Sequence, residues 1–194
     1  MSTSDDLRAR ADGGRASGEV ERLRAEIAHL QERVEQLDRL AHEDALTGLP
    51  NRRGFMRHLG RLIDRIQRYG DHGALLFVDI DGLKVINDSL GHHGGDAALI
   101  QVAAQLVEGV RASDCVGRIG GDEFAVLLEH ADEASARETA ARLVDRIAEH
   151  GFVHDEAVVP LSVAIGMSLI LPSDKPEDVI VRADGEMYAV KTSA

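Results

Sequence analysis

Between Glu19 and Ala41 the apolar positions fall at Val20, Leu23, Ile27, Leu30, Val34, Leu37 and Ala41, in alternating steps of three and four. Such a seam repeats every seven residues and keeps one face of a helix turned toward a neighbour. With β-branched Val20, Ile27 and Val34 at its a positions and Leu23, Leu30 and Leu37 at d, it predicts a parallel two-stranded coil over residues 19–43. Across such a pair Glu19 attracts Arg24 and Arg33 attracts Asp38, while Glu26 and Gln31 are neutral. Three heptads are marginal alone, so the competing arrangement is a single amphipathic helix lying on its own domain. Ahead of the seam, residues 1–18 set Gly13, Gly14 and Gly18 among Ser, Asp and Arg and read as a disordered lead.

From residue 44 onward helical and strand patterns alternate. Residues 51–69 carry Phe55, Leu59, Leu62 and Ile66 at helical spacing, and Ala74 to Val78 is an unbroken apolar run of strand length. A helix is expected from about Asp96 to Val110, with Ala97, Ile100, Ala104 and Val107 on one face. Strands Cys115 to Ile119 and Phe124 to Leu128 flank a turn; then come a helix over about 133–149, a strand over 160–169 and a last helix over about 176–191. The order strand, helix, strand, strand, helix, strand predicts a ferredoxin-like α/β (α+β) sandwich, with an antiparallel central sheet and helices on one of its faces.

The chemistry concentrates where two strand ends carry acid. Gly120-Gly121-Asp122-Glu123 sits between the paired strands, and Gly-Gly favours a tight hairpin turn because glycine adopts positive φ readily. By itself this is a solvated acidic turn. Upstream, however, the run Ala74 to Val78 ends in Asp79-Ile80-Asp81. In the expected topology that strand lies beside the hairpin, so Asp79 and Asp122 can share a hard cation such as Mg²⁺.

These segments resemble the GGDEF family, the diguanylate cyclases. Asp44-Ala45-Leu46-Thr47-Gly48-Leu49-Pro50-Asn51-Arg52 is similar to its opening segment, and Asp79 through Asp88 to its first strand and phosphate loop. Gly91-His92-His93-Gly94-Gly95-Asp96 resembles its guanine-side motif, and Ala183-Asp184 with Tyr188 and Lys191 its closing helix. The likeness spans residues 44–194. It implies condensation of two GTP into cyclic di-GMP and two pyrophosphates, with Mg²⁺, or Mn²⁺, held by Asp79, the backbone carbonyl of Ile80 and Asp122. Asp122 is then the catalytic carboxylate, assisted by Glu123. Gly82 and Leu83 would offer amides to the phosphates, and Lys84 and Lys191 charge. Asp96 would accept from guanine, with Asn87 as its partner and His92 nearby; the plainer role for Asp96 is to cap the helix that follows. Arg111-Ala112-Ser113-Asp114 ends six residues before Gly120, at the family's RxxD product-inhibition site, with Arg142 as a third contact.

Two positions depart from the family pattern. Leu83 stands where an aromatic is usual. The family's Gly-Arg-Asn segment beyond the lysine has no counterpart before Ala194, so the resemblance leads one to expect a weaker grip on phosphate. The competing functions are a weakly catalytic domain that acts as a cyclic di-GMP receptor, a cyclase of altered base choice, and a scaffold built around the coiled coil.

Composition narrows the setting. The 194 residues are 44% hydrophobic and 29% charged, enough for one core plus an appendage. A formal net charge of −12 argues against a nucleic-acid polymer as partner, because that binding relies on Lys and Arg neutralising phosphates. The apolar stretch from Ala157 to Leu171 is broken by Pro160, Ser162, Gly166 and Ser168 and is too short for a bilayer span. Met1 to Asp6 is polar and acidic, unlike a secretion signal. One cysteine, Cys115, permits no internal disulfide and suits a reducing cytoplasm.

Overall fold

The structure is a computed structural model; it describes the backbone of residues 3–155 and 157–193, and the side chains of 19, 21–155 and 157–192. Where a disordered lead was expected over 1–18, the backbone is helical from Thr3 onward; residues 1 and 2, the side chains of 3–18 and that of the seam residue Val20 lie outside the described residues. The chain divides into two units, Met1–Ala41 and His42–Ala194.

The described residues of the first unit lie within helix α1 (Thr3–His42). Its seam is displayed along the helix: Leu23, Ile27, Leu30, Val34 and Leu37 are all at least 46% exposed. Glu19 and Arg22 pair one turn apart at 3.9 Å.

In the second unit, α2 (Arg52–Tyr69) starts where Asn51 accepts a hydrogen bond from the Gly54 N–H, and it stops at Gly70, whose φ of 70° is left-handed. Then follow β1 (Gly73–Ile80), α3 (Leu83–Glu108), β2 (Cys115–Arg118), β3 (Glu123–Glu129), α4 (Glu133–His150), β4 (Phe152–His154), β5 (Ala157–Val159), β6 (Val163–Leu169) and α5 (Pro176–Ser193). The main sheet is antiparallel in the order β2-β3-β1-β6, the ferredoxin-like arrangement, with β4 and β5 forming a separate hairpin before β6.

The expectation of helices on one face is wrong. Along β1, Ala74, Leu76, Val78 and Ile80 pack into a core with α3 and α4, whereas Leu75 and Phe77 pack with α2 and α5. Both faces are therefore covered, which is why β1 is an unbroken apolar run rather than an alternating one. On the second face Phe55, Leu59 and Leu62 are each no more than 1% exposed, and burying a side chain of that size is worth about 1.5–3 kcal/mol. Gly166 on β6 brings α5 closest to the sheet: a Cβ there would overlap backbone atoms of Ala183 and Met187. The last helix is thus seated by backbone contact, which fixes the height of the side chains near its end.

The helix expected from Asp96 begins thirteen residues earlier, at Leu83, and is broken at Gly91 (φ 72°, ψ 176°), a conformation that glycine alone adopts easily. Asp96 is consequently inside α3 and is not its N-cap. Of the strand expected over 160–169, Val163–Leu169 forms β6, and Ala157–Val159 before it belongs to the β4–β5 hairpin.

Candidate active site

Antiparallel pairing sets the exit of β1 against the entry of β3. Asp79 stands opposite Glu123, and the Ile80 N–H donates to the Asp122 carbonyl at 3.2 Å. Residues directly across a ladder share a face. Asp79 and Glu123 thus continue the face of Leu75, Phe77, Ala125 and Leu127, which α5 covers. That is how Lys191, 112 residues from Asp79 in sequence, comes to pair with it. Asp79, Ile80, Asp122, Glu123 and Lys191 are brought together, and Asp81 joins them, 3.8 Å from the Lys191 ammonium.

The charges perturb one another. Burial holds Glu123 above the ordinary carboxylate range, and the negative charges of Asp122, Asp184 and Asp79 add to this against a small opposing effect of Arg52. The bond to Asp79 raises Lys191. Among the described residues no group of three or more His, Cys, Asp or Glu side chains is arranged to hold a metal ion. Two carboxylates and a main-chain carbonyl nevertheless fit Mg²⁺, which keeps several waters and takes further oxygens from substrate phosphate. That Asp79 already binds a cationic group shows that positive charge suits the position.

Gly82, with a φ of 67°, turns the chain from β1 into α3, and no side chain caps the helix start. The amides of its first turn, at buried Leu83 and exposed Lys84, have the orientation and partial charge that bind phosphate. After the break at Gly91 come exposed His92 and Asp96. Gly95 lets Asn87 lie over the backbone here: a Cβ at Gly95 would overlap the Asn87 side-chain amide. Asn87 thereby reaches across the break to Gly95, the residue before Asp96.

The hairpin tip differs from expectation. Neither Gly120 nor Gly121 has positive φ; the turn closes through Ile119 and Gly120 N–H donation to the Glu123 carbonyl, at 2.9 and 3.2 Å. Gly120 is small for another reason, since the Glu123 carboxylate folds back over it. Arg118 then clamps the tip. Its Nη2 donates to the Gly121 carbonyl at 2.7 Å, and its Nη1 donates to Asp44 at 3.2 Å. Asp44 also accepts from the Thr47 amide and hydroxyl. Burial opposes its ionisation, yet these bonds together hold its pKa below the usual value. Asp44 lies in the opening segment and Arg118 in the strand before the turn, and only their contact across the fold reveals a role.

At the opposite end of β3, Arg111, Asp114 and Arg142 line one cavity of about 100 Å³. Asp114 accepts from the Arg111 and Glu129 amides at 3.0 and 3.1 Å, and Arg142 donates to the Gly109 carbonyl at 2.6 Å.

Comparison with known proteins bears directly on this arrangement. The family described as "Diguanylate cyclase, GGDEF domain" matches residues 41–194. The chain belongs to this GGDEF family. It is 39% identical over 158 residues, or 80% of its length, to MucR of Pseudomonas aeruginosa, a bifunctional diguanylate cyclase and cyclic di-GMP phosphodiesterase. It is 37% identical over 177 residues, or 90% of its length, to the diguanylate cyclase TpbB of the same organism. It spans only 23% and 41% of the lengths of those two relatives. Among solved structures, the coiled coil and GGDEF domain of DgcB from Caulobacter crescentus, in complex with cyclic di-GMP, superposes with a TM-score of 0.82 at 27% identity, covering 97% of this chain and 95% of that one. GGDEF cyclases are in general dependent on a divalent metal. No described helix of this chain is long and apolar enough to cross a membrane.

Proposed function

We propose that the chain is a diguanylate cyclase, condensing two GTP into cyclic di-GMP with release of two pyrophosphates. The observation that carries this reading is the meeting of Asp79 and Asp122 beside the uncapped start of α3, a site for both a divalent cation and a triphosphate. In each of two steps a 3′-hydroxyl oxygen of one GTP bonds to the α-phosphorus of the other, its proton departs, and the bond to the β-phosphate breaks. Asp79, the Ile80 carbonyl and Asp122 would hold Mg²⁺, or Mn²⁺, which would supply charge neutralisation at the reacting oxygens. The residues of the chain do the rest. The amides of Leu83 and Lys84 and the Lys84 ammonium receive phosphate; Glu123, with its raised proton affinity, is suited to take the hydroxyl proton. Asp96 with Asn87 accepts the N1–H and amino donors of guanine, a pair that adenine lacks, and His92 lies at the same rim. GTP turnover to cyclic di-GMP by the purified chain with Mg²⁺ tests the reading; absence of product would defeat it.

Base choice gives a sharper expectation. Asp96→Ser removes the acceptor, so preference for GTP over ATP should shrink by about 1–3 kcal/mol. Competition between the two nucleotides measures it, and an unchanged preference would remove Asp96 from the base site.

Product inhibition through Arg111 belongs to the same reading. The Asp114 oxygens each hold a backbone amide, so Asp114 shapes the turn that presents Arg111. Arg111→Ala removes a charged, forked donor and should weaken inhibition by cyclic di-GMP by about tenfold while preserving the initial rate. Progress curves with added cyclic di-GMP decide this, equal inhibition of parent and variant being the adverse result. The seam of α1 supports a homodimer through a parallel coiled coil, and the single cysteine suits a cytoplasmic setting.

A further inference from the structure

The acidic exit of β1 already carries a cation belonging to the chain. Lys191 Nζ is in direct ion-pair contact with Asp79 and lies 3.8 Å from Asp81 Oδ1. Asp81 is itself held: its Oδ2 accepts from Ser162 Oγ at 2.9 Å, and its backbone N–H donates to the Ser162 carbonyl at 2.9 Å. The Asp79 side chain is 14% exposed and that of Lys191 40%. A carboxylate largely removed from water is thus neutralised by an ammonium on a flexible stem with room to swing.

We infer that Lys191 is an internal counterion that fills the Asp79 position until a divalent cation takes it, and that Asp81, held by Ser162, is the positioning residue that receives the displaced ammonium. This rests on the metal assignment proposed above. Two cations cannot both sit against Asp79, since like charges a few ångströms apart repel strongly where water is sparse. The doubly charged ion wins the shared carboxylate. Lys191 then needs another partner, and Asp81 Oδ1 lies within reach of rotation about its terminal bonds, without any shift of α5. The Ser162 bond engages Oδ2, which leaves Oδ1 to Lys191. From Asp81 the ammonium still borders the start of α3, so the move that clears the metal ligand also leaves a positive charge where triphosphate arrives. Metal affinity of the nucleotide-free chain is accordingly set in part by a lysine that is not a ligand.

Titration of the full chain with Mn²⁺ alone, without nucleotide, following free Mn²⁺ by electron paramagnetic resonance, tests this. Lys191→Met should bind Mn²⁺ roughly tenfold more tightly than the parent, the low end for losing a charge-assisted competitor that solvent partly screens. Asp81→Asn should weaken binding about threefold in the parent, and most of that loss should vanish in the Lys191→Met background, because it acts through the lysine. Ser162→Ala should follow Asp81→Asn with a smaller change. Unchanged or weaker binding in Lys191→Met would overturn the counterion. An undiminished Asp81→Asn loss in the double variant would make Asp81 a metal ligand and overturn its positioning role. If parent and Lys191→Met alike bound no Mn²⁺, the metal assignment itself would fall, a result distinct from a parent that binds and a variant that does not differ from it.

Discussion

Replacing Asp122 with Asn is expected to leave a folded protein whose cyclic di-GMP synthesis is reduced by about a thousandfold or more, the scale for losing a charged ligand of a catalytic metal. The substitution is close to isosteric, and the joint between hairpin and sheet uses the Asp122 main-chain carbonyl, which accepts from the Ile80 N–H. The backbone geometry should therefore survive. What disappears is one of the two carboxylates proposed to hold the cation. Asp122 also contributes to the raised proton affinity of Glu123, after burial, so the variant should lower the Glu123 pKa toward its ordinary range. Circular dichroism establishes folding and a GTP turnover assay the rate. A folded variant working near the parental rate would remove Asp122 from the reaction.

The sequence exposes this site unevenly. Gly120 to Glu123 and the strand ending in Asp79 are local patterns, and antiparallel pairing is enough to bring them together. The second helical layer was also legible in principle: a strand as continuously apolar as Ala74 to Val78 must be covered on both faces. The start of α3 was hidden for a specific reason. Asn87-Asp88-Ser89 and Gly91, Gly94 and Gly95 read as loop, yet the helix tolerates them because the Leu90 and Asn87 side chains lie where Cβ atoms of Gly94 and Gly95 would be. In the hairpin, glycine was read for backbone freedom, whereas at Gly120 its use is the space it leaves for Glu123. The contacts that finish the site were out of reach of any local pattern. Lys191 with Asp79, Ser162 with Asp81 and Arg118 with Asp44 join residues 112, 81 and 74 positions apart. Lys191 reaches Asp79 from the helix layered on the sheet, Ser162 meets Asp81 by continuing the β1–β6 register, and Arg118 meets Asp44 from the end of β2; sequence periodicity records none of them.

Disrupting the α1 seam should affect activity almost as strongly as the metal site, and by a different route. In the proposed reaction one catalytic domain holds one GTP and a second must face it, so two chains would have to meet. The proposed coiled coil would provide the meeting by raising the local concentration of the second domain to the order of millimolar. Leu30 and Leu37 are d positions of the seam, 54% and 61% exposed along α1, and in a parallel coil both would be buried against their counterparts. Replacing both with Lys sets four like charges into that interface, a cost three heptads cannot absorb. The variant should be monomeric by light scattering and should lose most of its activity per chain at micromolar protein. The loss should be recovered in proportion as protein concentration rises, because encounter then limits the rate. Asp122→Asn would show no such recovery, which separates a broken site from a separated pair. A monomeric parent, or a variant whose activity per chain ignores dilution, would refute the coiled coil as the assembling element.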